Sequence, residues 1–378
     1  MGKIVNFLCT ACGIFCRFFI HNFSRTRKTN GSLNCEVFFL DIKRIGRQTM
    51  VLAEPAAVET HACVGGPMEA KGPLHQYFDE LYDDSFFGQD SWEKGESFMQ
   101  HRSLTRALEK HSLSPADLDM VFAGDLLNQC IGTSFCLRDL GIPFYGVYGA
   151  CSTMGESLSL AALTVSAGFA RRAAAMTSSH FCTAERQYRM PVPYGSQRTP
   201  TAQWTATAAG CCIVSRGGKG PRITHVTTGR IVDNGITDAN NMGAAMAPAA
   251  YDTLRTLFSD TQTSPADYDL ILTGDLGTLG HAIVTDLFRR DGVDMTRVYQ
   301  DGGILLYDIA QQDMHCGASG CGCSAAVLNG YILREMHEGR WKRIIFAPTG
   351  ALLSPTSAFQ GESVPGICHA VILENQEG

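Results

Sequence analysis

The chain has 378 residues, of which 45% are hydrophobic, 18% are charged and 39 are glycine. These values exclude a disordered or fibrous chain and favour an α/β protein with helices, buried parallel strands and tight connections. A formal net charge of −6, with no cluster of Lys and Arg in the body of the chain, argues against a nucleic-acid partner.

The first 45 residues differ from the rest. Residues 4–20 are apolar apart from Asn6, Thr10 and Arg17, and a basic run follows. This stretch is shorter than a membrane span, and a signal peptide would place its basic region first. We therefore predict that 1–45 is an atypical extension, disordered or spurious through an upstream start, with a membrane anchor as the alternative.

Two segments of the chain repeat one another at identical internal spacing. Ser114-Pro115-Ala116-Asp117 leads into Gly124-Asp125-Leu126, and Ser264-Pro265-Ala266-Asp267 leads into Gly274-Asp275-Leu276. In each copy a helix-like stretch (92–108 and 242–257) precedes the turn, and a short apolar strand follows it. The repeat predicts two duplicated α/β halves, 46–232 and 233–378, with a ligand site where the carboxyl ends of their strands meet.

A cysteine follows one of the predicted strands. Residues 141–148 form an extended apolar run, 149–153 a tight turn, and 154–167 a helix, so Cys151 is predicted at a helix amino terminus. That position lowers a thiol pKa and makes Cys151 the best nucleophile candidate. The alternative is a small buried residue that fills a helix–sheet contact.

Three histidines are further site candidates. His180 ends a strand predicted at 171–179, and His281 follows the strand 270–273. His315 is the only imidazole in a small-residue-rich loop, 314–324, which precedes a helix at 331–338 and a strand at 343–347. A glycine-rich setting favours access to His315, although a lone histidine is more often structural.

The fifteen cysteines are distributed through apolar runs and Gly-rich turns of a large domain. We therefore predict reduced thiols in a cytosolic compartment and not a disulfide scaffold. Cys211-Cys212 and Cys321-Gly322-Cys323 lack the paired spacing of a zinc site. No metal and no cofactor are predicted.

Two motifs resemble the thiolase and ketoacyl synthase superfamily, whose members fuse two α/β halves in a layered αβαβα architecture. Gly149-Ala150-Cys151-Ser152 is similar to its nucleophile turn, and residues 315–320 are similar to its histidine loop, one residue shorter and without the proline. A closer resemblance, from about Gly46 to the carboxyl end, is to the stage V sporulation protein AD family. The segments that carry it are 125–129, 148–154, 177–186, 197–204, 320–325 and 348–357.

The resemblance implies a binding role in spore formation. It implies that the protein holds pyridine-2,6-dicarboxylic acid (dipicolinic acid), or its calcium chelate, for uptake into the developing spore. It also implies work with other proteins of the same operon, a cytoplasmic or peripheral place at the spore inner membrane, and a homodimer through the sheet edge of the first half.

Catalysis is not implied, because condensing enzymes add a second acid/base group to the cysteine. After the strand 270–273 this chain has Gly274-Asp275, and its nearest imidazole, His281, comes later. We predict a non-enzyme in which Cys151 and His315 are vestigial. The alternatives are an acyltransferase in which His315 activates Cys151, and an assembly factor that serves mainly as a docking surface.

A planar dicarboxylate needs cationic or N–H partners and a flat apolar surface. The segment 181–204 interleaves Arg186, Arg189 and Arg198 with Tyr188, Tyr194 and Trp204. The predicted ligand-binding residues are Cys151, His180, Arg186, Arg198, Trp204, His281 and His315. The alternative is a surface loop whose arginines pair with acids. A binding pocket should also keep Cys151 as the neutral thiol, since a thiolate repels an anion.

Overall fold

The computed structural model of the protein describes residues 43–189 and 198–375. The predicted extension at 1–45 therefore lies almost entirely outside the described residues. The strands are β1 (Lys43–Ile45), β2 (Thr49–Gly65), β3 (Glu80–Leu81), β4 (Met120–Gly124), β5 (Phe144–Gly146), β6 (Arg172–Ser179), β7 (Trp204–Thr205), β8 (Ala208–Ser215), β9 (Arg222–Thr227), β10 (Leu270–Thr273), β11 (Tyr299–Asp301), β12 (Ala318–Ser319), β13 (Arg343–Ala347), β14 (Thr349–Ala351), β15 (Gly366–Cys368) and β16 (Ala370–Glu374).

The helices follow the same chain order. They are α1 (Trp92–Lys110), α2 (Ile131–Leu137), α3 (Thr153–Ser166), α4 (Phe181–Arg189), α5 (Met242–Thr261), α6 (Gly277–Arg290), α7 (Gly302–Leu305), α8 (Cys321–Ala326), α9 (Leu333–His337) and α10 (Pro355–Phe359). A π-helical segment, Val327–Ile332, joins α8 to α9.

The sheet has the same strand order twice. Its main path is β11-β10-β13-β16-β9-β2-β8-β6-β4-β5, and the antiparallel pairing of β2 with β9 joins two equivalent sets of five strands. In the first half β4 lies between parallel β5 and β6, and β8 is antiparallel to β6. In the second half β10 lies between parallel β11 and β13, and β16 is antiparallel to β13. The predicted duplication of an α/β unit is confirmed.

Side-chain alternation divides the core into layers. On β6, Ala173 and Ala175 face a core shared with α3 and with the α8–α9 segment, whereas Ala174 and Met176 face a core shared with α1 and α2. The second half repeats the pattern, with Leu270 and Leu272 facing the middle core while Ile271 faces α5 and α6. Successive strand residues point to opposite faces, so the halves stack as αβαβα, as predicted.

The turns of the internal repeat are short 3₁₀ helices with reciprocal caps. The side chain of Asp117 accepts hydrogen bonds from the backbone N–H and the hydroxyl of Ser114, at 2.8 and 2.7 Å. Asp267 accepts the same two bonds from Ser264, at 2.7 and 2.9 Å. The repeated sequence therefore sets one local geometry in both halves before β4 and β10.

Three predicted elements differ from the structure. The strand predicted at 141–148 pairs only over Phe144–Gly146, since Pro143 has no N–H to donate and the chain then turns toward Gly149. The segment 314–324 is not a loop throughout, because α8 begins at Cys321 and packs in the middle core. The residues from Phe181 to Arg189 form α4 and not a surface loop.

Candidate functional site

A cavity opens where turns and loops from both halves meet, as expected from the two sets of strand ends. The volume of the cavity is about 70 Å³, several times what one water needs. Its apolar wall comes from Leu126, Ala150, Ala184, Ala239, Met242, Ala351 and Leu353. Its polar groups come from Cys151, Glu185, Tyr188, Thr205, Asn240 and Ser319.

Cys151 lies on a 3₁₀ turn directly before α3, as predicted. Ala150 has a φ of 51°, a left-handed conformation that is uncommon for a residue with a Cβ. The turn is pressed against β14, where a Cβ on Gly350 would lie 2.1 Å from the carbonyl oxygen of Gly149. The thiol is 5% exposed, and its Sγ lies 3.8 Å from the Oγ of Ser319.

Ser319 reaches Cys151 because β12 pairs with β7, which places Ser319 opposite Thr205. The side chain of Gln203 holds this junction together. Its Nε2 donates to the carbonyl oxygens of Asp275 and Ala318, at 2.6 and 2.8 Å. One amide side chain thus ties the end of β10 to β12 behind the cavity wall.

Asp275 lies behind Ser319, beside the thiol of Cys151, and was missed as a site residue in the sequence. Its Oδ2 accepts hydrogen bonds from the backbone N–H of Gly320, at 2.9 Å, and from the Ser319 hydroxyl, at 3.4 Å. Burial raises the pKa of Asp275 to about 8, and the carboxylate of Asp301 adds to the shift. At neutral pH the Asp275 carboxyl is therefore largely protonated.

The expected lowering of the Cys151 thiol pKa is wrong. Burial raises the pKa of Cys151 well above its ordinary value, and the nearby charge of Asp275 raises it further. Desolvation and a neighbouring acid outweigh the amino terminus of α3. Cys151 is therefore a neutral thiol, the protonation state expected for a pocket that binds an anion.

Three of the other sequence-predicted residues, Arg198, Trp204 and His315, lie close together. Trp204 directly precedes the lining residue Thr205 in the chain. The guanidinium of Arg198 lies 5.2 Å from the ring of Trp204 and donates to the Asp313 carboxylate at 2.8 Å. The Nε2 of His315 lies 3.2 Å from the same carboxylate, and its Nδ1 lies 2.6 Å from the carbonyl oxygen of Thr199. His315 is thus directed at Asp313 and Thr199, and it is not among the residues that line the Cys151 cavity.

The remaining three sequence-predicted residues lie apart from one another. Arg186 pairs with Glu93 and lies over the ring of Trp92. The Nε2 of His180 lies 2.7 Å from the carbonyl oxygen of Ser85, and His281 stacks on Tyr299 with ring centroids 4.4 Å apart.

None of these three is among the lining residues of the cavity. Burial lowers the pKa of both His180 and His281, which keeps their imidazoles neutral. The side chain of Arg189 and the residues 190–197, with Tyr194, lie outside the described residues. The ligand-binding roles of all seven predicted residues remain predictions.

Two tyrosines join the site that sequence reasoning had not assigned to it. The hydroxyl of Tyr188 donates to the carbonyl oxygen of Leu126, and the hydroxyl of Tyr148 contacts that of Tyr188. Tyr188 belongs to the aromatic residues interleaved with arginines in 181–204, whereas no such pattern marks Tyr148. Asp275 did carry a signal, since the repeated Gly-Asp-Leu places an acid at the carboxyl end of a strand in each half.

Within 43–189 and 198–375, no group of three or more His, Cys, Asp or Glu side chains is placed to hold a metal ion. The cysteines of the same region are free, and all but Cys182 are buried. None of the helices that the structure describes has the length and apolar character needed to cross a membrane.

Comparison with known proteins gives a family and a fold. The sequence model of the stage V sporulation protein AD (SpoVAD) family matches residues 46–374. The stage V sporulation protein AD of Bacillus subtilis (strain 168) is 43% identical over 337 residues, which cover 89% of this chain and 99% of that protein.

Solved structures with the same fold are much more distant in sequence. The 3-oxoacyl-[acyl-carrier-protein] synthase III of Aquifex aeolicus VF5 matches with a TM-score of 0.53 and 13% identity, over 84% of this chain and 99% of that one. Human mitochondrial 3-ketoacyl-CoA thiolase in complex with CoA matches with a TM-score of 0.54 and 12% identity, over 86% and 99%. A variant of Xanthomonas campestris OleA gives 0.55 and 13%, also over 86% and 99%. At such identities the likeness establishes the thiolase-like fold alone.

Proposed function

Since the chain belongs to the stage V sporulation protein AD family and has a thiolase-like fold, we propose that it is a non-catalytic binding protein for pyridine-2,6-dicarboxylate in sporulation. The ligand is bound in the Cys151 cavity, for uptake into the developing spore. The observation that carries the proposal is the placement of the Cys151 thiol beside the buried acid Asp275, which raises the pKa of the thiol and leaves the nucleophile protonated.

The chemistry of an acyl-transferring cysteine requires a thiolate at neutral pH. A neighbouring imidazole accepts the thiol proton, or a nearby cation lowers the thiol pKa. Burial is the largest cause of the shift in the Cys151 pKa, and the groups that contribute most after it are Asp275, Ser319 and the backbone of Gly320, none of which is cationic. His315 makes its contacts with Asp313 and Thr199 instead. The site therefore supports binding and not nucleophilic attack.

The cavity suits a flat ligand whose charge is already balanced. Its walls supply an apolar surface for a ring, and Ser319, Thr205 and Asn240 supply polar contacts at its rim. The described residues that line it include the acid Glu185 and no Lys, Arg or His. A calcium chelate of the dicarboxylate has no net charge, so its transfer into a largely apolar cavity costs less than transfer of the free dianion.

Glu185 gives the chelate a specific contact. Carboxylate oxygens are the ligands that Ca²⁺ prefers, and a chelate with a planar tridentate ligand leaves several calcium positions open. We therefore assign to Glu185 the contact with the bound calcium, which belongs to the ligand and not to the protein.

Isothermal titration calorimetry on the folded protein tests the proposal. Calcium pyridine-2,6-dicarboxylate is expected to bind more tightly than the free dianion, and calcium alone is expected to give no heat. The variant Glu185→Gln is expected to lose about tenfold or more of its affinity for the chelate, as for a charged contact, with little change for the free acid. The matched variant Glu109→Gln, outside the cavity and paired with Arg106, should leave both affinities unchanged. If neither the calcium chelate nor the free dianion gave a heat of binding, the proposal would be refuted.

A second candidate function is acyl transfer through Cys151. The position of the thiol in a cavity before α3 favours it. Incubation with acyl-CoA thioesters of several chain lengths, followed by mass spectrometry of the Cys151 peptide, separates the two functions. Binding without chemistry leaves the thiol unmodified, whereas an acyl adduct on Cys151 establishes the enzyme.

Partners and location are also part of the proposal. We propose that the protein acts with other proteins of the same operon at the spore inner membrane, as a peripheral component. If the fold served only as a docking surface for those partners, Cys151→Ala would load spores with dicarboxylate as well as the unmodified protein does. The binding function requires reduced loading in spores that carry Glu185→Gln.

A further inference from the structure

Asp125 and Asp275 hold equivalent positions in the internal repeat but have different contacts. The carboxylate of Asp125 accepts hydrogen bonds from the backbone N–H groups of Leu127 and Thr133, at 2.8 and 2.7 Å, and from the Thr133 hydroxyl at 2.6 Å. Asp125 thus organises the loop that follows its own strand. All of its partners belong to the first half.

In the second half that task belongs to Asp301 on the neighbouring strand β11. Its carboxylate accepts hydrogen bonds from the backbone N–H groups of Leu276 and Gly277, at 2.8 and 2.9 Å, and from the Thr273 hydroxyl at 2.7 Å. Asp275 is released from its own loop and is directed toward the Cys151 turn instead.

The carboxyl of Asp275 is only half satisfied by the protein. Its Oδ2 has the contacts with Gly320 and Ser319 described above, whereas its Oδ1 is buried without a hydrogen-bond partner among the described residues. An ionised carboxylate in that setting is costly, and a proton on the carboxyl removes most of the cost.

Ser319 couples this carboxyl to the cavity. It is a lining residue, and its hydroxyl has one proton to donate. An ionised Asp275 attracts that proton and leaves only an oxygen lone pair toward the ligand. A protonated Asp275 is a weaker acceptor, so the hydroxyl can turn and donate to a ligand carboxylate.

We propose that Asp275 is a specificity-determining residue that sets, through the Ser319 hydroxyl, the charge accepted by the Cys151 cavity. A carboxylate anion is bound while Asp275 holds its proton and is rejected once Asp275 is ionised. Only the identity of the natural ligand in this inference rests on the proposed function.

Other titratable groups surround Asp275 from every side. They are Cys151 before α3, Asp301 on β11, Cys321 and Cys323 on α8, and Cys368 on β15. The four thiols are neutral because burial raises the pKa of each. Burial raises the pKa of Asp301 to about 6, so it is ionised before Asp275, whose pKa of about 8 places the change in charge at mildly alkaline pH.

Alkylation of Cys151 measures the charge preference without the natural ligand. The thiolate displaces iodide from either iodoacetamide, which is neutral, or iodoacetate, an anion. In both reactions an S–C bond forms, the C–I bond breaks and iodide leaves with the electron pair. Both rates are proportional to the fraction of Cys151 that is thiolate, so this fraction cancels in their ratio. The ratio therefore reports the electrostatic effect of the cavity on an anionic reagent relative to a neutral one.

The rates are measured by peptide mass spectrometry at pH values on both sides of the Asp275 ionisation. In the unmodified protein the iodoacetate/iodoacetamide ratio at Cys151 is expected to fall roughly tenfold as pH rises, the effect of one added charge at short range. In Asp275→Asn the ratio should stay high and flat. In the control Glu96→Gln, which removes another buried acid away from the cavity lining, the fall should persist.

Equal pH dependence in the unmodified protein and Asp275→Asn overturns the inference, as does a Cys151 that even iodoacetamide cannot reach. If Asp275→Asn does not fold, Ser319→Ala replaces it and is expected to have a low ratio already at neutral pH. A ratio in Ser319→Ala equal to that of the unmodified protein also overturns the inference.

Calorimetry with calcium-free pyridine-2,6-dicarboxylate then separates this inference from the proposed function. Affinity is expected to fall by up to tenfold per pH unit above the Asp275 ionisation in the unmodified protein only. The expected alkylation result without any dicarboxylate binding refutes the proposed ligand and leaves the inference standing. Dicarboxylate binding whose pH dependence is the same in Asp275→Asn as in the unmodified protein supports the proposed ligand and refutes the role of Asp275.

Discussion

Around the cavity, individual buried acids matter more than the arginines that the sequence emphasises. Glu96 is fully buried, and its carboxylate oxygens accept hydrogen bonds from the hydroxyls of Ser178 and Thr183, at 3.1 and 2.7 Å. Burial and, after it, the nearby Asp125 raise the pKa of Glu96 to about 8. Like Asp275, it is protonated at neutral pH.

The protonation of Glu96 predicts a dependence of stability on pH. Because the pKa of the folded state lies above the unfolded value of 4.5, the unfolded chain binds fewer protons between pH 4.5 and about 8. The free energy of unfolding therefore falls as pH rises through that window. Glu96→Gln removes this loss, so the variant should gain stability relative to the unmodified protein by roughly 1–4 kcal/mol between pH 5 and pH 8.

Urea unfolding at a series of pH values measures the effect. Glu109→Gln, on the same helix but half-exposed, is the matched control and should follow the unmodified protein throughout. A constant difference between Glu96→Gln and the unmodified protein across the window would show that Glu96 ionises normally in the folded state.

Among the elements, the pairing of β7 with β12 is what assembles the cavity from both halves. Gln203 precedes β7, is 2% exposed, and connects through its amide to the end of β10 and to β12. Two buried carbonyl oxygens depend on this one side chain, so it acts as a clamp on the strand ends that bring Ser319 to Cys151.

Replacement of Gln203 by Ala should therefore loosen the site. Loss of the two hydrogen bonds leaves buried acceptors unpaired, and the expected cost is about 1–3 kcal/mol in the free energy of unfolding. Thermal unfolding measures this loss of stability, and the affinity for the ligand should fall as well. Gln311→Ala, at an exposed position, is the control. An equal effect of both variants would contradict the role of Gln203 in holding β10 and β12 together.

The elements also show how far local sequence reasoning extends. The helices α1, α3 and α5 and the strands β4, β6, β10 and β13 lie within a few residues of their predicted positions, because periodicity and turn residues define them locally. α8 was missed because its run of Cys, Gly, Ser and Ala is typical of a loop. It is helical because those small side chains fit closely against the sheet, where a Cβ on Gly322 would lie 2.3 Å from the carbonyl oxygen of Ala208.

At the scale of the whole molecule, the sheet ends at an open strand on the side of the first half. β5 is the terminal strand of the main path, and it carries Tyr145, which is 61% exposed. Ile131 and Phe135 on the adjacent α2 are also exposed, at 39% and 52%. An edge strand with exposed apolar neighbours is a template for pairing with another chain.

We therefore predict a homodimer through β5, the arrangement that the family resemblance also implies. Sedimentation velocity should show a dimer for the unmodified protein and a monomer for Tyr145→Lys, because a charge on an edge strand opposes pairing. Phe169→Lys alters an aromatic residue that is 76% exposed and lies outside β5 and α2, and it should leave the dimer intact. A monomeric unmodified protein, or a dimer unaffected by Tyr145→Lys, would contradict this interface.

The class of fold, the duplication and the place of Cys151 before a helix were determined by the sequence alone. Each of them follows from local periodicity, turn chemistry and motif spacing. The tertiary structure alone decided the chemistry of the site. It placed Asp275 beside Cys151, paired Arg186 with Glu93 and Arg198 with Asp313, and put His315 in contact with Thr199 and Asp313. These contacts join residues far apart in the chain, and the protonation of a buried group depends on what packs around it, which no local pattern encodes.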